Sequence, residues 1–142
     1  MEQNIHKVGS IPFQVFKDKV AVLFVTSQVR GRWILPKGIL VAGESHDDAC
    51  HRETYKESGV KGRIIKNFPV TKRITKLTSK GIISTPVTFY PLLVQKQDDD
   101  WPDKIKRQRH WALLRDVHKV ASKEDYINVL KSFEELKPWK LI

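Results

Sequence analysis

The chain has 142 residues, 40% of them apolar and 30% charged, with a formal net charge of +10. That length suits one domain, residues 1–142, and that balance describes a packed globular protein, not a disordered or fibrous one. The positive surplus favours polyanionic partners, and the longest apolar runs, such as "VAVLFV", are too short to cross a bilayer.

The opening "MEQNIHKVGS" lacks the charged-then-apolar layout of a signal peptide. "IPFQVF" and "VAVLFVT", on either side of "KDK", read as a β-hairpin, and "RWILP" as a third short strand ended by Pro36. Residues 45–58 read as a helix. Ser45 is its N-cap, with Asp48 in the capping-box position, and Gly59 is the left-handed residue that ends it. Cys50, the single cysteine, allows no internal disulfide and points to a reducing cytoplasm. "GRIIKNFPVTKRITK" and "TPVTFYPLLV" are strand segments separated by "TSKG". "DDDWPDK" reads as a charged loop and "RQRHWALL" as another strand. A second helix is predicted from Ser122 to Pro138, with apolar residues at 126, 127, 130, 133 and 136. Strands, helix, strands, helix is the order of an α+β fold with a mixed sheet between helices.

The chemistry concentrates in residues 38–60, "GILVAGESHDDACHRETYKESGV". Positions i, i+3 and i+4 of a helix share one face, so Glu53, Lys56 and Glu57 project together, with Glu44 in the loop feeding the helix. Carboxylates fixed on a helix suit magnesium, which takes one or two of them and leaves its other positions to water and substrate phosphate.

The spacing resembles the Nudix hydrolase signature, G-x5-E-x7-R-E-U-x-E-E-x-G-U, with U aliphatic. Gly38, Glu44, Arg52, Glu53, Glu57, Gly59 and Val60 match it. Thr54 departs mildly at a U position. Lys56 departs more seriously, standing where the signature has glutamate. "GSIPF", "RWILPKG", "GVKGRI" and "DDWPDK…R…W" are similar to the diphosphoinositol polyphosphate phosphohydrolase branch, a likeness that runs to about Leu114. The resemblance implies a Nudix α/β/α sandwich and hydrolysis of a phosphoanhydride with Mg2+, or Mn2+ in its place. The substrate it implies is of the diphosphoinositol polyphosphate or diadenosine polyphosphate type. Glu53 and Glu57 would then bind the metal together with the Lys37 carbonyl. Arg52 would orient Glu53, Glu44 would tie the loop to the helix, and the general base stays unassigned.

A lysine ammonium close to a divalent ion repels it by roughly 5 kcal/mol, unless its stem swings the charge into water. Lys56 therefore leaves two outcomes open: activity with fewer metal ions, or an inactive module that binds polyphosphates or RNA. By the same resemblance Arg32, Lys37, Lys104, Lys106, Arg107 and Arg109 would grip substrate phosphates, and Lys72, Arg73 and Lys76 punctuate a strand pair. His46 and His51 lack spaced partners for a zinc site, Cys50 reads as a core residue, and Trp33, Trp101 and Trp111 as packing groups. Asp98 to Asp100 read as a solvated loop. No membrane and no obligate protein partner is expected.

Overall fold

The computed structural model describes residues 5–142. One mixed sheet is built from β1 (Lys7–Phe16), β2 (Lys19–Thr26), β3 (Trp33–Ile34), β4 (Lys37–Ile39), β5 (Val60–Ile64), β6 (Val70–Thr78), β7 (Gly81–Gln97) and β8 (Arg109–Leu113). Its central path runs β3-β2-β1-β7-β5, while β4 pairs with β1, β6 with β7 and β8 with β2. β1 and β7 run parallel, and β1 and β2 form the hairpin expected around "KDK", with Phe16 opposite Lys19.

Helix α1 (His46–Ser58) and helix α3 (Glu124–Leu136) pack against opposite faces, and α2 (Val117–Val120) is a short turn before α3. Strand alternation explains the two layers. Ile11, Phe13, Val22, Phe24, Val87 and Phe89 join Tyr126, Val129, Leu130 and Phe133 of α3 in one core. Val8, Leu23, Leu92 and Val94, of the opposite parity, join Ala49 and Cys50 of α1 in the other. Strands buried on both faces read as continuous apolar runs, hence "VAVLFV". This is the α+β sandwich expected.

Three local readings differ. "GRIIKNFPVTKRITK" is not one strand: β5 and β6 are separate, and β7 serves both in turn. Pro91 lies where β7 changes partner. Its carbonyl accepts a hydrogen bond from Ile65 N at 2.8 Å, so its missing N–H also faces the gap, where no ladder bond is lost. The last helix starts at Glu124, with Lys123 rather than Ser122 at the N-cap. Asp125 displaces the expected start by accepting from Thr75 N and Oγ1 at 2.9 and 2.7 Å, which fixes the helix against β6. Its buried face is Tyr126, Val129, Leu130 and Phe133, and Leu136 is exposed.

The caps of α1 are as the sequence predicts. Ser45 accepts from Asp48 N at 3.1 Å, and Gly59 adopts φ 75°. A Cβ at Gly59 would lie 2.9 Å from Trp101 Cβ, in addition to the left-handed strain. Gly59→Ala should therefore lower unfolding free energy by at least about 1 kcal/mol in urea titration; an unchanged midpoint would show that this turn relaxes freely.

Candidate active site

The loop leading into α1 is clamped to its helix through Arg52. The guanidinium donates to both Glu44 oxygens at 2.8 and 2.9 Å, to Glu53 Oε1 at 2.5 Å and to the Ile39 carbonyl at 3.0 Å. Glu44 also accepts from Val41 N at 3.0 Å. The hydrogen bonds from Arg52, then that from Val41, hold the Glu44 carboxyl down at about 2. Glu53 is buried, and its carboxylate fills the space in front of Gly38: a Cβ there would come within 2.2 Å of Glu53 Cδ. Only glycine lets strand β4 pass so close to the glutamate. Thr54, the polar residue at an aliphatic position, is satisfied by a buried 2.6 Å bond with Ser10.

Glu57, one turn on, is buried too and has its own partners. Arg107 Nη2 donates to Glu57 Oε2 at 3.1 Å, and Lys37 N donates to Oε1 at 3.3 Å. Burial pushes the Glu57 carboxyl up, to about 7, against the pull of Arg107 and Lys37. Arg107 is fixed from behind by Asp103 and by the Thr26 carbonyl, each at 2.9 Å.

Residues 98–109 also close the C-terminal end of α1, where a helix leaves carbonyls without internal donors. Asp103 N donates to Lys56 O at 3.0 Å, Trp101 Nε1 to Glu57 O at 3.0 Å, Arg109 Nη1 to Ser58 O at 2.8 Å and Asp98 N to Gly59 O at 2.9 Å. Arg109 stacks on Trp101 at 4.0 Å.

Glu57 opens onto a cavity of about 680 Å³. Lys7, Arg30, Arg32, Lys37, Lys76 and Lys123 line it together with Arg107, and among the described residues Glu57 is the one carboxylate in the lining. Burial, and then the charges of Lys37 and Lys76, lower the Lys7 ammonium. Burial lowers Lys37, with Glu57 opposing and Arg107 adding to the effect. Burial also lowers Lys123, opposed by Asp125 and helped by Lys37, Arg32 and Lys76. Beneath them lies the buried Tyr126 ring, 5.6 Å from Lys37 Nζ and 5.8 Å from Lys123 Nζ.

Residues 7–133 match the family model described as the NUDIX domain. The chain belongs to that family. Nudix hydrolase 4 of Arabidopsis thaliana is 30% identical over 138 residues, covering 92% of this chain and 65% of the relative. Diphosphoinositol polyphosphate phosphohydrolase 3-alpha of Mus musculus is 28% identical over 116 residues, 80% of this chain and 67% of the relative. The chain thus spans less than two thirds of the plant relative's length. The C. elegans Ap4A hydrolase structure superposes with a TM-score of 0.67 at 20% identity, covering 93% of this chain and 97% of that one, which shows the shared Nudix fold.

Nudix hydrolases generally use divalent metals such as Mg2+. Among the described residues no three His, Cys, Asp or Glu side chains come together as a ready cage. Magnesium rarely needs one, being held by one or two carboxylates plus phosphate and water. Buried Glu57 on the cavity wall, with buried Glu53 close enough to raise its carboxyl further, fits an ion that arrives with a phosphate ligand.

The basic residues divide. Arg32 and Lys37 reach the cavity, as does Lys76. The residues of the 104–109 cluster are placed differently from one another. Arg107 lines the cavity too, bonded to Glu57 and Asp103, whereas Arg109 donates to the end of α1. Lys104 pairs with Asp100 at 3.1 Å, and Lys106 is exposed outside the main cavity. Lys7, Arg30, Lys123 and Tyr126 were not singled out from sequence. Lys123 and Tyr126 were legible as the start of an amphipathic helix, but their meeting with β1 and β6 is a tertiary fact. His46 bonds Tyr90 at 2.8 Å, His51 is exposed and Cys50 is buried, its thiol pushed up to about 12 by that burial. Asp98 is not merely solvated, since Tyr55 donates to it at 2.7 Å.

Because the Glu44 carboxyl is depressed, the stability it confers is complete above its ordinary 4.5 and is lost as pH falls through about 2. Carboxyl NMR should place the native Glu44 midpoint near that lower value and return it toward 4.5 in Arg52→Gln. A native midpoint at 4.5 would rule out the clamp.

Proposed function

We propose that the chain hydrolyses a phosphoanhydride bond in a phosphate-rich small molecule of the diphosphoinositol polyphosphate or diadenosine polyphosphate type. The observation that carries the reading is the cavity wall. Seven basic residues and one carboxylate surround about 680 Å³, a volume suited to a small ligand. Clustered cations repel one another, and a polyanion is the ligand that relieves the repulsion. The printed names of the mouse relative and the C. elegans neighbour support the substrate type.

When bound, Mg2+ or Mn2+ held by Glu53, Glu57 and the Lys37 carbonyl supplies charge neutralisation at the phosphate oxygens. The chain's own residues do the rest. Arg52 holds Glu53 in one orientation, and Glu44 holds Arg52, so both act as positioning residues. Lys7, Arg32, Lys76 and Lys123 bind the outer phosphates, with Arg32 offering the bidentate fork. The ammonium of Lys37, close to Glu57, stabilises charge as the anhydride breaks. Cytoplasmic residence belongs to the same proposal and rests on the single buried cysteine. Among the described residues no helix is long and apolar enough to cross a membrane.

One observation favours a second reading, a phosphate-binding module without turnover: Glu57 already pairs with Arg107. Phosphate release from diphosphoinositol polyphosphates, dinucleoside polyphosphates and nucleoside triphosphates separates the two. Turnover of at least one, abolished by a chelator, is the expected result. Glu53→Gln should then lower kcat at least about a hundredfold, and Arg32→Ala should raise KM about tenfold. Ligand binding with no turnover of any of the three would leave the module.

A further inference from the structure

Arg107 holds Glu57 with one arm only. Its Nε donates to Asp103 and its Nη1 to the Thr26 carbonyl, both at 2.9 Å, whereas Nη2 reaches Glu57 at 3.1 Å. The first two bonds anchor the guanidinium to the 98–109 segment and to the end of β2. The third and longest joins two residues that both line the cavity. Glu57 also accepts from a backbone donor, Lys37 N at 3.3 Å, on the oxygen that Arg107 does not use.

From this geometry we propose that Arg107 is an exchange residue. It neutralises Glu57 in the ligand-free protein, and it transfers its Nη2–H to a ligand phosphate when a divalent cation takes the carboxylate. The proposal rests on the hydrolase reading above. A guanidinium left beside a divalent ion is repelled by it, and its Nη2–H, having lost its acceptor, is costly to leave unpaired even with Asp103 still bonded to Nε. An arriving phosphate removes both penalties, because it offers the flat guanidinium a new acceptor without moving its two anchors. Cation and phosphate therefore bind with positive coupling, and the coupling is reciprocal. Lys56 has no part in the exchange. Its side chain is exposed, and no ion pair among the described residues involves it.

The test measures Mn2+ affinity by electron paramagnetic resonance, with and without inorganic phosphate, after correction for their association in solution. The full chain is compared with Arg107→Gln and with Lys76→Gln, which removes one positive charge from the same cavity. Native protein should bind Mn2+ at least tenfold more tightly with phosphate present. Arg107→Gln should tighten Mn2+ binding without phosphate at least threefold beyond Lys76→Gln, and should lose the coupling. Because Arg107→Gln strips Asp103 and Glu57 of a buried partner and can unfold the chain, 15N side-chain NMR of native Arg107 gives an independent reading. The Nη signals should move only when Mg2+ and phosphate are present together, while the Nε signal keeps its bond to Asp103. Equal Mn2+ affinities in the two variants, coupling that survives in Arg107→Gln, or static Nη signals at saturation overturn the exchange and leave the hydrolase reading standing. Absence of Mn2+ binding to native protein even with phosphate overturns the metal reading itself, and the exchange with it.

Discussion

The buried pair of Glu57 and Arg107 is the contact on which the site depends. Two charges taken out of water are tolerated only when further hydrogen bonds satisfy what remains of each group. Here Asp103 and the Thr26 carbonyl complete Arg107, and Lys37 N completes Glu57. The consequence is architectural. One guanidinium ties the box helix α1 to the end of β2 and to the 98–109 segment, three parts of the chain far apart in sequence. That segment also supplies donors to the carbonyls of Lys56, Glu57, Ser58 and Gly59, so the helix end that carries the second glutamate is held on all sides.

The opposite economy governs the cavity. Burial lowers the ammonium groups of Lys7, Lys37 and Lys123, and neighbouring cations add to it, with Lys37 and Lys76 acting on Lys7, and Lys37, Arg32 and Lys76 acting on Lys123, so their assembly opposes folding. Two features limit the cost. The Tyr126 ring offers its face to Lys37 and Lys123, and Asp125 draws Lys123 toward α3. On the proposed function, an anionic ligand would relieve the repulsion that remains, so the electrostatics of this wall bear on binding as well as on stability.

Much of this was legible in the sequence because it is local. The helix from 46 to 58, its Ser45 and Gly59 caps and the β1–β2 hairpin follow from residues within about fifteen positions of one another, while the roles of Glu44 and Arg52 in the clamp came from the family resemblance. The split of β5 from β6 was not legible, since it shows only in how each pairs with β7, which comes later in the chain. The cation wall was half legible. Arg32, Lys37 and Lys76 sit on segments next to the box, whereas Lys7 and Lys123 come from opposite ends of the chain and meet only through sheet pairing and the docking of α3. The 104–109 cluster was legible only in part, because sequence cannot tell that Arg107 meets Glu57 at the cavity while Arg109 turns to the Ser58 carbonyl. Arg107 and Arg109 point inward because the end of α1 lies beneath them.

The substitution at 56 takes its meaning from the same contacts. A lysine there threatens a metal site only if its ammonium turns toward the glutamates. Its backbone carbonyl is fixed by Asp103 N, while its side chain is exposed and pairs with neither Glu53 nor Glu57. The positive charge that does sit against Glu57 comes from Arg107, fifty residues away in the chain. On the proposed hydrolase reading, the cation that a metal ion at Glu57 would have to displace is therefore Arg107, outside the signature, and not Lys56 within it.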